Sequence, residues 1–351
     1  MRNLSELRAD VTVGIDLGDR VSVVCIIDGG GRVVHRDRVP CSRQDIELFF
    51  GGLPRCVVAI ETGTHSRWVS DLLSGMGFEV LVGNARRIRS IYESERKSDE
   101  RDAEQLARIA RFDRKLLHPV KHRKADAHRD LEVLRAREVL VQSRTKLVNH
   151  VRGVVKSFGY RLPKGSTEAF HKKAAAAMPD ELMPVMAPLL AVLGDLTRRI
   201  REYDTRADDL CQKKYPETKR LRQIRGVGPV VSLAYVLTIE DPRRYRSSRT
   251  VGAYLGMTPR RDQSGETDKQ LRITKAGNEY MRRLLVNSAT YIMGPFGGDS
   301  DLRRFGERLQ SRGGKTAKKR ARVAVARKLA VLMHSMWLKG SDYQALGYKA
   351  S

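Results

Sequence analysis

The chain has 351 residues, which is long enough for two or three domains with sizeable cores. Its 67 Lys and Arg residues outnumber its 41 Asp and Glu residues, and the formal net charge is +26, so polyanions are the expected partners and nucleic acid the first of them. No apolar run is long enough to span a bilayer and the N-terminus lacks an apolar signal core, which argues against a membrane partner and predicts a cytoplasmic protein. The four cysteines are scattered and none has CxxC spacing, so neither a zinc site nor a disulfide framework is suggested.

The N-terminal segment is predicted to form an α/β domain with a mixed sheet. Two apolar runs, a glycine turn and a valine pair indicate a three-stranded meander at residues 11–15, 22–27 and 33–34. Ser42 is a candidate N-cap for a helix that ends at Phe50. The apolar run at 56–60, a helix at 66–76 and a strand at 78–82 complete an alternation of strands and helices.

Four acidic residues lie where predicted elements of this domain begin or end. Asp16 ends the first strand, and Glu61 directly follows the buried strand. Asp99 and Asp102 share one helix face if Ser98 caps that helix. Such carboxylates can hold two Mg²⁺ ions, which prefer oxygen ligands and together stabilise the attacking and leaving oxygens of a phosphodiester. Each residue alone has a structural explanation, as a turn residue or a complement to the helix dipole, and only their joint order predicts a metal site.

From residue 124 the pattern changes to two long amphipathic helices. In the first, apolar residues recur every seven positions, at Leu134, Val141, Val148 and Val155. The second carries an apolar face from Leu189 to Leu210. Together they predict an antiparallel hairpin, which is either an internal arm or a coiled coil between two copies of the chain. The sequence leaves both interpretations open.

A basic, glycine-punctuated region begins near residue 216. Residues 221–234 resemble a helix-hairpin-helix, in which Gly226 and Gly228 permit a tight turn. Backbone N–H groups at the start of the following helix could then bind a phosphate. An ordinary turn between two helices is the alternative interpretation.

Ser264 is the candidate nucleophile of this region. It precedes a glycine in a polar segment that is predicted to be a loop. Four cations flank it in the sequence: Arg260, Arg261, Arg272 and Lys275. An exposed serine among such cations can attack phosphorus, because the cations stabilise charge that develops on the phosphate oxygens. A Ser-Gly pair by itself is more often a simple turn.

Two more basic segments follow Ser264. A helix at 280–292 is expected to expose Arg282 and Arg283. The charged run at 312–322 is expected to contact the phosphate backbone through Lys318, Lys319 and Arg320. Its Gly-Gly-Lys-Thr sequence lacks the first glycine and the preceding strand of a P-loop, so nucleotide binding is not expected there.

The acidic and serine motifs together resemble those of the DEDD transposases of minimal insertion sequences, over nearly the whole chain. This family pairs a RuvC-like domain with a serine-bearing transposase domain. The resemblance implies an α/β plus α fold of three parts. These are an RNase H-like (RuvC-like) mixed-sheet domain at 9–123, a long helical coiled-coil arm at 124–215, and a mainly helical basic domain at 216–351.

The same resemblance implies an RNA-guided transposase, or DNA recombinase, with a covalent phosphoserine intermediate on Ser264. Its divalent metal, two Mg²⁺ per site with Mn²⁺ as a substitute, would be held by the four acidic residues Asp16, Glu61, Asp99 and Asp102. Its partners would be donor and target DNA, a structured noncoding bridge RNA, and further copies of the chain in a dimer or tetramer.

Three other functions make less use of these motifs. A RuvC-like metal-dependent nuclease or junction resolvase would use the acidic residues and leave Ser264 idle. An actin-like ATPase, suggested by the segment at 14–18, needs a second glycine-rich phosphate loop, and the sequence shows none. A non-enzymatic nucleic-acid-binding protein would explain the charge but not the acidic residues.

Overall fold

The computed structural model describes residues 10–89, 98–264 and 267–347, with side chains throughout except at 89, 262–264 and 267–270. The chain divides into two compact units, residues 1–122 and 123–351. Within the described ranges, no helix has both the length and the apolar character needed to cross a bilayer. The further division of the second unit into an arm and a C-terminal domain stays a prediction.

The first unit is built on one five-stranded sheet. Its strands are β1 (Thr12–Asp16), β2 (Val21–Ile27), β3 (Val33–Pro40), β4 (Val57–Glu61) and β5 (Glu79–Gly83). The spatial order is β3-β2-β1-β4-β5, in which β1, β2 and β3 form an antiparallel meander and β4 and β5 run parallel to β1. This confirms the predicted mixed α/β sheet, and the arrangement is consistent with an RNase H-like domain.

Helices cover both faces of this sheet. They are α1 (Arg43–Gly51), α2 (Ser66–Gly75), α3 (Ala85–Arg89) and α4 (Asp99–Phe112). Val13, Ile15 and Ile60 face a core shared with α1 and α2, whereas Ala59 packs with the apolar side of α4 on the other face. Ser42 caps α1 as predicted, because its side chain accepts a hydrogen bond from the Asp45 backbone N–H.

The strand β3 is longer than the valine pair that predicted it. It continues through four consecutive polar residues to Pro40 at the edge of the sheet. An edge strand tolerates charged side chains, which discourage pairing with other chains, so a hydrophobic pattern marks only its first residues.

The second unit is mainly helical. Its elements are α5 (Ala125–Ser157), α6 (Phe170–Ala176), α7 (Met183–Lys213), α8 (Glu217–Leu221), α9 (Pro229–Ile239), α10 (Thr250–Tyr254), β6 (Pro259–Ser264), β7 (Thr267–Ile273), α11 (Glu279–Ile292), α12 (Asp301–Gln310) and α13 (Ala317–Lys339). The helix α9 is buried from Ser232 to Ile239, and the Tyr235 hydroxyl donates a hydrogen bond to the Ala330 carbonyl of α13. The core of this unit is therefore centred on α9.

The two long helices pack against each other within one chain. Arg137 of α5 pairs with Asp204 of α7 at 2.6 Å. About two turns further along α5, Arg144 donates a hydrogen bond to Thr197 at 3.3 Å. Residue numbers rise on α5 as they fall on α7, so the helices are antiparallel and the predicted hairpin is confirmed. Contacts between subunits through this arm stay a prediction.

Candidate active site

Asp16 and Glu61 lie side by side at the carboxyl edge of the sheet. The strands β1 and β4 are parallel and in register at Ile15 and Ile60, so Asp16 and Glu61 are the next residues on neighbouring strands. Side chains two positions apart on a strand share a face. Asp16 therefore shares the face of Gly14, and Glu61 shares that of Ala59, which packs against α4.

The helix α4 crosses this face in the direction opposite to β1. A Cβ atom on Gly14 would overlap the carbonyl oxygen of Ala103, so the helix backbone touches the strand there. At the other end of α4, Arg111 Nη1 donates to the Asp10 carbonyl at 2.6 Å, just before β1 begins. The N-terminus of α4 therefore points toward the end of β1 that carries Asp16.

This direction brings the two helix aspartates level with the strand-end residues. From Gly14 to Asp16 the strand advances by about 6–7 Å. From Ala103 back to Asp99 the helix returns by about 6 Å. Ser98 caps α4 as predicted, accepting from the Arg101 backbone N–H at 3.4 Å, and this places Asp99 and Asp102 in the first turn. The sheet edge and the helix start thus bring the four predicted acidic residues to one end of one face.

The donor set fits a divalent cation of the magnesium class. All four residues offer carboxylate oxygens, the ligands that hard cations prefer, and none offers sulfur or imidazole nitrogen. Across the described parts of the chain, however, no group of three or more His, Cys, Asp and Glu side chains is arranged to hold an ion. The fold therefore collects the acidic residues at one edge, and their side chains are not gathered into a finished ligand shell.

Ser264 ends a strand and does not lie in a loop as predicted. The strands β6 and β7 form an antiparallel hairpin in which Ser264 pairs with Thr267, while Gly265 lies outside the described residues. The strand β6 has no apolar face and β7 carries only Leu271 and Ile273, so the hairpin lacks the sustained alternation by which a sequence predicts strands. The structure places Ser264 at the far end of the hairpin from its base.

Two glycines allow the base of this hairpin to close. Gly256 has φ +67° and Gly277 has φ +91°, in the region that favours glycine. A Cβ on Gly256 would overlap the Ala276 carbonyl oxygen, and one on Gly277 would overlap the Tyr254 carbonyl oxygen. The segments that enter β6 and leave β7 therefore cross in backbone contact.

Arg282 ties these two segments together. Its Nη1 donates to the Leu255 carbonyl at 3.2 Å, before β6, and to the carbonyls of Ala276 and Gly277 at 3.2 and 3.0 Å, after β7. The prediction that Arg282 and Arg283 are exposed is wrong, since both are half-buried and Arg283 pairs with Glu138 at 2.7 Å. Nothing in the local pattern distinguishes an arginine that binds carbonyls from one that faces solvent.

The other predicted nucleic-acid contacts lie on the surface of the second unit. Exposed cations occupy both sides of the hairpin and the start of α13: Arg260, Arg261, Arg272, Lys275, Lys318, Lys319 and Arg320. Three of them stand in the first turn of α13, where the helix dipole disfavours positive charge. A bound phosphate would offset that unfavourable placement.

The glycine turn between α8 and α9 forms as predicted. Gly226 has φ +86°, and a Cβ there would lie 3.0 Å from the Tyr291 ring. Gly228 is the exposed N-cap of α9, and Pro229 follows it without a backbone N–H. Phosphate binding at this helix start stays a prediction, with the donors reduced by Pro229.

Comparison with known proteins shows similarity in both units. A family model described as a transposase, of the DEDD type found in IS110, matches residues 13–159. A second, described as the transposase IS116/IS110/IS902 family, matches residues 218–301. The chain is 29% identical to the transposase for insertion sequence element IS1328 of Yersinia enterocolitica, over 80% of this chain and 83% of that protein. It is 25% identical to the transposase for insertion sequence element IS1111A of Coxiella burnetii, over 80% of this chain and 77% of that protein.

Proposed function

The chain belongs to the IS116/IS110/IS902 family of transposases, which makes it a DNA recombination enzyme, and from that premise we propose that it exchanges DNA strands through a covalent Ser264 intermediate. The observation that supports its metal-dependent part is the shared edge of the first unit, at which the ends of β1 and β4 and the start of α4 carry Asp16, Glu61, Asp99 and Asp102. The DEDD domain implies that the enzyme depends on a divalent metal.

The four acidic residues would hold that metal, with Mg²⁺ as the proposed ion. A cation bound to their carboxylates would polarise a phosphodiester oxygen and make the phosphorus a better electrophile. The residues themselves provide the negative charge that keeps such an ion in place. Asp16 and Glu61 would provide this charge from the ends of paired strands, and Asp99 and Asp102 from the first turn of a capped helix.

Ser264 would attack the phosphorus of the DNA strand. The bond from Ser264 Oγ to phosphorus forms, the bond from phosphorus to the oxygen of the leaving strand breaks, and that oxygen takes up a proton. The hydroxyl of a second strand then attacks the phosphoserine and releases Ser264. Two successive transesterifications conserve the energy of the phosphodiester bond, which hydrolysis would discard. Exposed cations such as Arg260 and Arg272 can offset the charge that develops on the phosphate.

Two partners besides DNA belong to the proposal. A structured noncoding RNA would choose the donor and target sites, which rests on family resemblance and agrees with the net charge of +26. A dimer or tetramer would assemble through the helical arm. Exposed Val185 and Val192, one heptad apart on α7, support that contact because they lie outside the intrachain core. The cytoplasm is the proposed place of action.

The acidic site is tested by a matched pair of variants on the first turn of α4. Asp102→Asn removes a carboxylate charge from the shared edge, and we expect strand cleavage in Mg²⁺ to fall by about 100-fold or more. Binding to nucleic acid should change little, because phosphate contacts come mainly from Lys and Arg.

Glu100→Gln is the control, since Glu100 is exposed on the same turn but is not one of the four acidic residues. Cleavage is measured on labelled DNA while Mg²⁺ is varied, and metal binding is measured separately by calorimetry. Full cleavage by Asp102→Asn, or an equal loss in both variants, would contradict the assignment.

A further inference from the structure

A loop between α9 and α10 displays four arginines and a tyrosine that the proposed mechanism does not use. Its sequence from residue 241 to 249 is Asp-Pro-Arg-Arg-Tyr-Arg-Ser-Ser-Arg. The arginines are exposed at positions 243, 244, 246 and 249. So dense a positive charge is costly through mutual repulsion unless a polyanion offsets it.

The loop is held by a buried histidine. His334 of α13 is inaccessible to solvent, and its Nε2 lies 2.9 Å from the Pro242 carbonyl oxygen while its Nδ1 lies 2.9 Å from the Ser248 hydroxyl. A carbonyl only accepts, so Nε2 must donate to Pro242. Burial lowers the pKa of His334, so the ring is neutral and Nδ1 accepts from Ser248. Both ends of the loop are thereby fixed to the core.

Aromatic rings flank one of the arginines. The Arg244 guanidinium carbon lies 5.0 Å from the ring centroids of both Tyr245 and Tyr254, and its Nη2 donates to the Tyr245 hydroxyl at 2.7 Å. The two rings meet edge to face, with centroids 5.4 Å apart. Tyr254 remains 40% exposed. Arg244 therefore packs against both rings, while Tyr254 leaves part of its side chain open to solvent.

Two of the neighbouring arginines form no ion pair within the described part of the chain. Among the residues that the structure describes, the guanidinium groups of Arg243 and Arg246 form no ion pair. They stand on either side of the Arg244–Tyr245 pair in the chain. A stacking surface between two such cations has the composition of a single-strand binding site, where bases stack on planar groups and cations hold the phosphates.

The position of this surface links it to the serine hairpin. Tyr254 ends α10, and its carbonyl oxygen is in contact with Gly277 at the base of β6 and β7. The next residue, Leu255, accepts the hydrogen bond of Arg282. A strand bound at Tyr254 would thus lie against the base of the hairpin that ends at Ser264.

We propose that Arg244 and Tyr254 stack one unpaired nucleobase, and that Arg243 and Arg246 bind the phosphates beside it. The ligand is an unpaired nucleotide segment, from DNA undergoing exchange or from RNA. A paired base is excluded because its faces are already stacked within the duplex. Only the inference that the bound strand leads toward Ser264 rests on the proposed function. Binding of the nucleotide at Tyr254 does not require that serine.

The test compares Tyr254→Leu with Tyr254→Phe in the full-length Ser264→Ala protein. Short single-stranded DNA and RNA oligonucleotides carry one 5-iodouracil, and affinity and photocrosslinking are both measured. We expect Tyr254→Leu to bind about 5- to 150-fold more weakly, while Tyr254→Phe keeps the affinity because it keeps the ring. The crosslink should map to residue 254 in the Ser264→Ala protein that keeps Tyr254 and in its Phe variant, and should disappear in the Leu variant. The DNA and RNA arms show which strand supplies the base.

The phosphate contacts are tested by the double variant Arg243→Gln with Arg246→Gln. We expect the slope of log affinity against log salt to fall by about 0.7 for each lost contact. Arg161→Gln with Lys164→Gln, exposed residues after α5, removes the same charge elsewhere and is the control. Equal binding by the Leu and Phe variants, or equal slopes in the two double variants, would overturn the proposal. Since Ser264 is replaced throughout, neither result depends on the serine chemistry.

Discussion

His334 shows how one buried side chain sets the conformation of a functional surface. Its two ring nitrogens bond to Pro242 and Ser248, and the Tyr245 ring packs edge to face against it at 5.4 Å. A protonated ring could not accept from the Ser248 hydroxyl, and its charge would be buried. The neutral imidazole of His334 therefore holds the 241–249 loop in its conformation.

This arrangement predicts that acid destabilises the second unit. Burial lowers the pKa of His334 in the folded chain below its ordinary value of 6.5, so the unfolded chain binds the extra proton first as the pH falls. The His334 contribution is fully present above pH 6.5 and is lost as the pH falls toward the folded pKa. The melting temperature should therefore drop between about pH 7.5 and about pH 5.5, and less so in His334→Gln, whose amide can form both hydrogen bonds without titrating. An equal drop in both proteins would remove His334 as the source.

At the scale of elements, helix caps and strand patterns predicted the first unit well. Ser42 and Ser98 mark the starts of α1 and α4 because a serine before a helix satisfies a free N–H group, whatever the tertiary structure. The closeness of Asp16 and Glu61 could be predicted from the sequence because parallel strand ends meet at one edge. The approach of α4 at Gly14 was not predictable, since a glycine in a strand signals close contact without identifying the partner.

The serine hairpin was the main feature that the sequence did not predict. Strand pairing depends on contacts between β6 and β7 rather than on an apolar face, and Arg282 acts through carbonyls that only the fold brings together. The charges around Ser264 were visible in the sequence, but the strand that carries it was not. Long-range backbone contacts of this kind leave no periodic signal.

Arg282 is predicted to be a positioning residue for Ser264. Arg282→Ala leaves three carbonyl oxygens without their charged donor, and hydrogen bonds to charged groups contribute about 1.5–3 kcal/mol. We expect strand cleavage to fall about tenfold or more while DNA affinity stays within about twofold. Arg282→Lys should restore part of the cleavage, because an ammonium group can still donate to these carbonyls.

Arg283→Ala is the control on the same helix, since Arg283 pairs with Glu138 and not with the hairpin base. The measurement is a single-turnover cleavage rate beside a binding isotherm. A loss of affinity equal to the loss of rate, or no recovery with Lys, would assign Arg282 a purely structural role.

Across the whole molecule, the acidic and basic residues of interest lie in different units. Acidic residues converge where the first unit would hold a cation, whereas the second unit exposes cations on the hairpin, on the 241–249 loop and at the start of α13. On each of these basic surfaces the like charges repel one another, and a bound polyanion would offset that repulsion. The net charge of +26 thus lies on the surface of a protein whose core is apolar and packed. Under the proposed function, the acidic residues would serve the reaction and the basic ones would hold its substrate.

The central claim, that Ser264 becomes covalently joined to DNA, is tested most directly by trapping the adduct. End-labelled DNA is incubated with the protein and Mg²⁺, the mixture is resolved by denaturing electrophoresis, and the labelled peptide is mapped. We expect a labelled band whose phosphate is attached to Ser264, absent in Ser264→Ala and present in Ser311→Ala, which replaces an exposed serine after α12. Cleaved DNA without any adduct would rule out the Ser264 intermediate and favour a nuclease in which water attacks the phosphorus. An adduct on another residue would assign the nucleophile to that residue instead.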